Sequence, residues 1–454
     1  MMAQGGHALK PLTEIDATEG GRAPRSGKIA FDLERHLDFS TAALESYAFA
    51  EWEPLLYDAM VVAATIEFAD RSVSRPRLGW GRKFALRIPV HEPRRWAHAE
   101  TMRALIAATT HLTGDEWSFE FVRSQSAAPV PGGGLLALDV TTRAVMPFSD
   151  GLDSRAVACI VARERGTPFL RVRVGAKAGG RPKRSARVPF AAVPYGVKAA
   201  GETSARSRGF KFLMIAGIAA HLSGADDVLV SESGQGVFGP ALVTAAHAYP
   251  DFRSHPLFAV KMESLLALLF GRRIRIVFPR LWSTKGETIR LFAELEPGDG
   301  WRQTRSCWMD SRHCSVQGVL MQCGVCAACM LRRMSIHAAG LTDDNDAYVC
   351  AALDASTLDN ASVPGFKHLT VAFREYAIAG TKHLDHMASL ERPFAANMIR
   401  RHSMGIASAL NMSEESAHAG LRDLLARHAA EWRRFVASLG ERSFVRNWAR
   451  GQHG

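Results

Sequence analysis

Five of the chain's seven cysteines, Cys307, Cys314, Cys323, Cys326 and Cys329, fall within 23 residues, and no other feature of the 454-residue sequence constrains its fold so tightly. A cluster of this density is either a disulfide framework or a metal site. The opening stretch, MMAQGGHALKPLTEIDATEGGRAPRSG, is Gly-rich and polar, without the apolar region of a secretory signal. A soluble, cytoplasmic setting is therefore expected, and there clustered thiols bind metal. Cys323-Gly-Val-Cys326-Ala-Ala-Cys329 offers three thiolates at two-residue gaps, which one turn can deliver to a tetrahedral Zn²⁺. The fourth ligand comes from upstream, from either Cys307 or Cys314. An iron–sulfur cluster is the rival reading, although radical-type CxxxCxxC spacing is absent. Four cysteine ligands would leave no open coordination position, so the zinc would be structural. Cys159 and Cys350 stand alone in apolar surroundings and read as core.

A hydrophobic fraction of 47% against 22% charged residues excludes a disordered chain. No uncharged apolar run reaches membrane-spanning length. The length suits about two or three domains. Residues 1–28 read as a flexible tail and 29–135 as an accessory α/β domain, in which WGRKFALRIPV (80–90) and EWSFEFVR (116–123) alternate like strands around a helical stretch, 97–112. Over 136–340 strands alternate with helices, as in a parallel α/β sheet, with strand signals at 168–175, 226–231 and 274–279. The region 341–454 reads as mostly helix.

Between the strand before it and the helix after it, Phe148-Ser149-Asp150-Gly151-Leu152-Asp153-Ser154 has the composition of an anion nest. Ser149 and Ser154 are short donors, Gly151 permits close backbone approach, and the helix start adds free N–H groups. Asp153 fits either a Mg²⁺ ligand or a helix cap. Thr284-Lys285-Gly286-Glu287, after the apolar strand 274–279, places a compact positive charge on a strand-to-helix turn, with Glu287 as a cap or a Mg²⁺ ligand. Gly234-Gln-Gly236-Val-Phe-Gly239 matches G-x-G-x-x-G, but Pro240 follows it and no second strand ends in an acid about 20 residues on. Glu232-Ser233-Gly234 reads better as a substrate-facing loop of the same pocket.

Ser149 to Ser154 resembles the SGGxDS signature of the PP-loop ATP pyrophosphatases, with Asp150 at the position of the first Gly. Ser204-Ala-Arg206-Ser-Arg208-Gly209-Phe210 is similar to that family's Arg-Asn segment, with Gly209 replacing Asn. CGVCAACMLRR resembles the CGxCxxCxxR motif of 7-cyano-7-deazaguanine synthase, the QueC family, with Arg332 or Arg333 in the basic position. For the fourth ligand, Cys314 has that family's spacing to Cys323, and Ser306-Cys307-Trp308 its local context. The likeness spans about residues 143–340. The added amino-terminal and carboxyl-terminal regions resemble the enlarged QueC-like components of Qat-type anti-phage systems. The resemblance implies ATP held by Ser149, Asp150, Gly151, Leu152, Asp153, Ser154 and Arg208, with Mg²⁺ at Asp153 and Lys285 on phosphate. It further implies adenylation of a carboxylate of the 7-carboxy-7-deazaguanine class, then amide, nitrile or conjugate formation, the accepting amine being ammonia or a partner protein. The formal net charge of +11 also suits an RNA-acting thiolase or ligase of the same superfamily, a partner class not favoured here. An inert nucleotide- and zinc-binding scaffold is the remaining class, and no membrane partner is expected.

Overall fold

The computed structural model describes residues 11–39, 53–76, 79–127, 143–149, 151–166, 169–174, 195–244, 248–309 and 313–450. Two four-stranded sheets, each wholly parallel, organise the first 280 residues. In the first, β1 (Leu12–Thr18), β2 (Ile29–Asp32), β3 (Lys83–Val90) and β4 (Glu116–Arg123) stand in the order β2-β1-β3-β4. In the second, β5 (Ala144–Pro147), β6 (Leu170–Val172), β7 (Asp227–Leu229) and β8 (Arg275–Val277) stand in the order β8-β7-β5-β6. Each sheet therefore reverses its strand order beside its first strand, a switch point of the kind whose carboxyl-end crevice takes ligands in open parallel sheets.

The expected tail over 1–28 is corrected by β1. Leu12-Thr-Glu-Ile-Asp-Ala-Thr18 is short and flanked by Pro and Gly, yet it fills a central position, with Ile15 and Ala17 buried and partners on both sides. Non-local pairing makes it a strand. Elsewhere the alternating segments fold as their pattern requires, β3 and β4 pairing in register from Lys83↔Glu116 to Val90↔Arg123.

Helix α1 (Pro54–Ser72) is apolar on nearly every side, a pattern that suits a helix covered on two faces. It lies between the first sheet and α4 (Arg208–Ser223) of the second unit, while α2 (Ala99–Thr113) packs on α4 and on α6 (Pro256–Phe270). One continuous core joins the units, running from Ile15, Phe84 and Val62 through Met214 and Ile215 to Leu266. Each such fully buried aliphatic side chain stabilises the fold by roughly 1.5–3 kcal/mol. Polar ties reinforce the joint. Asp70 of α1 accepts the backbone N–H groups of Arg206 (2.6 Å) and Ser207 (2.7 Å) at the start of α4, and Tyr195 Oη donates to the Met60 carbonyl.

The expected carboxyl-terminal helices are present from Val371 onward as α9 (Val371–Ser389), α10 (Ala396–Leu410), α11 (Glu414–Ser438) and α12 (Phe444–Arg450). Helix α11 leans on α9, on α10 and on α8 (Ala327–Ala338), and also reaches α5 (Gly234–Leu242) of the second unit. Among the described residues no helix is long and apolar enough to cross a membrane.

Candidate nucleotide site and metal centre

The second sheet's switch point lies between β5 and β7, and the sequence-predicted groups gather there. After Pro147 the chain turns into α3 (Leu152–Arg165), with Gly151 at the N-cap. Ser154 Oγ donates to the Gly151 carbonyl (3.0 Å), Gly151 N–H donates to Ser149 Oγ (3.3 Å), and the two hydroxyls lie 3.3 Å apart. A Cβ on Gly151 would sit 3.2 Å from Ser149 Oγ and 3.3 Å from the Arg305 carbonyl, so the tight turn favours glycine. No side chain caps α3, which leaves its first-turn N–H groups and positive dipole end for an anion. Leu152 faces inward. Its side chain is fully buried among Ala156, Ile289, Phe292 and Trp301, so only its backbone can meet a ligand. Asp150 lies outside the described residues.

Lys285 is the first residue of α7 (Lys285–Leu295), and its ammonium reaches back to Asp153 Oδ2 at 2.5 Å. The serine-glycine turn and the lysine turn, 132 residues apart in sequence, thus share one ion pair. Asp153, expected at Mg²⁺ or as a cap, has Lys285 as its partner here. Glu287 is a cap: Thr284 and Glu287 form a reciprocal capping box, and Glu287 also pairs with Arg427 of α11.

The arginine segment divides. Arg206 is bound to Asp251 (3.1 Å) and the Tyr249 carbonyl and stacks over Trp80, so it ties the units together. Arg208, on the first turn of α4, makes no ion pair among the described residues and stays available to an anion. Gly209 has a steric cause, because a Cβ there would lie 2.9–3.0 Å from Arg253.

Glu232, in the loop after β7, faces the same crevice. Burial pushes its carboxyl up to about 7, Asp153 adds to the rise, and Lys285, Arg253 and Arg208 oppose it. Arg253 was not foreseen, since nothing in its local sequence marks it. It is held by Asp251. The G-x-G-x-x-G stretch is packing rather than dinucleotide recognition. A Cβ on Gly234 would fall 2.2 Å from the Leu281 carbonyl, on Gly236 2.4 Å from the Glu232 carboxylate, and on Gly239 3.1 Å from Met387 Sδ.

Among the cysteines, Cys307, Cys323, Cys326 and Cys329 bring their sulfurs within 4.8 Å of one another. Cys323 and Cys329 Sγ are 3.8 Å apart. Four ligands at 2.3 Å in a tetrahedron are separated by about 3.8 Å, so this set fits Zn²⁺. Cys326 stands at the N-cap position of α8 and Cys329 on its first turn, where the helix dipole favours thiolate. Backbone N–H groups of Cys323 and Cys326 point at Cys307 Sγ (3.3 Å) and Cys323 Sγ (3.2 Å). Gly324 has φ +83°, and a Cβ would fall 2.5 Å from the Cys350 carbonyl, so the knuckle needs glycine. Hydrogen bonds from Cys314 and the other thiols pull Cys307 far down, while Cys323, Cys326 and Cys329 rise.

Cys307 therefore completes the quartet, and Cys314 does not. Cys314 is buried beside Cys307 at the base of a small hairpin, its thiol pushed up to about 12 chiefly by the hydrogen bond to Cys307. Arg332 and Arg333 are both structural. Arg332 holds Tyr348 Oη and Thr304 Oγ1, and Arg333 holds the Cys350 and Ala351 carbonyls.

Residues 200–340 match the family model described as Queuosine biosynthesis protein QueC. The matched segment includes Arg208, Glu232, Lys285 and the clustered cysteines, and lies entirely after Ser149–Ser154. It supports a QueC-like PP-loop domain of ATP-utilising type. A search of curated proteins gave no match.

Proposed function

We propose that this protein uses ATP to activate a carboxylate as an acyl-adenylate, with release of pyrophosphate. The observation that carries the reading is the Lys285–Asp153 pair, which joins the serine-glycine turn to a buried lysine at the switch point of a QueC-like domain. In this reading the ATP phosphates lie on Ser149, Gly151, the N–H groups of α3 and Ser154, with Arg208 at the rim. Lys285 exchanges Asp153 for phosphate oxygens, which frees the carboxylate to hold the Mg²⁺ that accompanies the nucleotide. The substrate carboxylate attacks the α-phosphorus, the α–β phosphoanhydride breaks, and pyrophosphate leaves. The lysine and the helix dipole stabilise the charge that develops on the departing oxygen. An amine then displaces AMP. The carboxylate is of the 7-carboxy-7-deazaguanine class, and Glu232 borders its pocket. The regions on either side of the matched segment support a specialised acceptor, a partner protein in anti-phage defence.

The test is pyrophosphate release from Mg·ATP with and without 7-carboxy-7-deazaguanine, in wild type and in Ser154→Ala. Release that requires the base and fails in the variant is expected. A folded, zinc-loaded protein that releases none with the base, but does so with RNA, would overturn the reading in favour of an RNA-modifying enzyme.

A further inference from the structure

Lys285 is held from behind by residues that carry no charge to the crevice themselves. Its backbone N–H donates to Gln235 Oε1 at 2.7 Å. The Gln235 amide has no freedom to turn, because both of its protons are engaged. One goes to His428 Nδ1 (2.9 Å) and the other to Glu431 Oε2 (3.2 Å). His428 can accept there because its Nε2–H is committed to the Leu384 carbonyl (3.0 Å). The other Glu431 oxygen takes the hydroxyl proton of Thr284, the N-cap of the lysine helix, at 2.5 Å. All of these groups are buried, Glu431 to 4% exposure. Gly286 lets the carboxylate in, since a Cβ there would lie 2.9 Å from Glu431 Oε1.

Glu431 and His428 belong to α11, outside the residues that match the QueC model. Among the described residues their hydrogen bonds reach the crevice through Gln235 and Thr284, which set where the lysine helix starts. We propose that Glu431 is a positioning residue for Lys285, supplied to the phosphate site by the carboxyl-terminal helical region. This rests on the reading that Lys285 meets the phosphates of ATP. A fully satisfied network of this kind fixes geometry, whereas one missing partner leaves a buried donor or acceptor open and lets the rest shift. In Glu431→Gln one of the two acceptors becomes a donor, so either the Gln235 amide or the Thr284 hydroxyl loses its partner at the start of the lysine helix. Turning Gln235 takes its acceptor away from Lys285 N–H.

The experiment is a double-mutant cycle on the full chain, reading Mg·ATP affinity by calorimetry, with zinc content and melting temperature confirming the fold. Glu431→Gln is expected to weaken ATP about tenfold, as displaced binding groups do. In a Lys285→Ala background the same change is expected to cost nothing further. If it weakens ATP equally in both backgrounds, or in neither, the positioning role is overturned. Should Glu431→Gln fail to fold, Gln235→Met carries the same cycle. Wild type that binds no Mg·ATP overturns the nucleotide reading at its own step, and the positioning role with it.

Discussion

The two parallel sheets share a strand order, but their carboxyl edges are finished differently. At the first sheet's edge the polar groups answer one another. Glu19 accepts from Ser124 Oγ (2.6 Å) and Gln125 N–H (3.2 Å). Asp58 takes the N–H of His91 (2.8 Å), its Nδ1 (2.8 Å) and the N–H of Glu92 (2.9 Å). At the second sheet's edge the helix after the first strand is uncapped, Arg208 has no ion pair among the described residues, and Glu232 sits among like and unlike charges. Winding order creates a crevice in both cases. Whether it can hold an anion depends on the loops, because only unanswered donors and cations have anything to offer a ligand.

The comparison can be broken in several places. The largest effect is expected at the metal centre, which among the described residues lies in the second half. Cys307→Ser should abolish stoichiometric zinc and destabilise the chain by on the order of 5 kcal/mol, while Cys314→Ser keeps one zinc per chain. Metal analysis with thermal melts checks both. Next, Lys285→Ala should lower pyrophosphate release by about a hundredfold or more. Asp58→Asn at the first sheet's edge should lower the melting temperature and leave the rate within about twofold. A comparable rate loss in Asp58→Asn would mean that the first sheet also takes part in catalysis.

A smaller effect comes from buried histidines. Burial holds His255 at about 3 and His383 and His428 at about 4, all where the carboxyl-terminal helices meet the second unit. With 6.5 as the ordinary value, the unfolded chain binds more protons than the folded one below that pH. Stability present above pH 6.5 is thus lost as pH falls toward 4. Denaturant titrations should show that slope, and His428→Gln should flatten it. Smallest is Glu232→Gln. The raised carboxyl stabilises the fold below its ordinary 4.5 and loses that contribution as pH rises through about 7. The variant should therefore be more stable than wild type by about 1–2 kcal/mol at pH 8 and equal to it near pH 4.5. A variant that melts lower at pH 8 would show that ionised Glu232 is held favourably.

Much of this was legible locally. Period-two alternation gave β3 and β4, apolar helical spacing gave α2 and α4, and the Ser149–Ser154 turn and the cysteine spacing marked the two sites. What escaped local reading depended on partners far along the chain. β1 looked like a tail because its worth lies in two neighbours that pair with it. Arg206 and Arg208 stand in one arginine segment, and only the distant partners Asp251 and Trp80 set Arg206 apart. Arg253 carries no local signal, and Gln235 and Glu431 matter only through what they hold.

By itself the sequence determined the chemistry on offer: a thiol-rich knuckle for zinc, a serine-glycine turn before a helix, and a lysine on another turn. Those depend on residue type and short spacing. Tertiary structure decided the choices among equals. It took Cys307 over Cys314, because only its sulfur reaches the other three, and it set Lys285 against Asp153. It also recruited α11 to the lysine turn, because burying the apolar face of that helix brings Glu431 against Thr284 and Gln235.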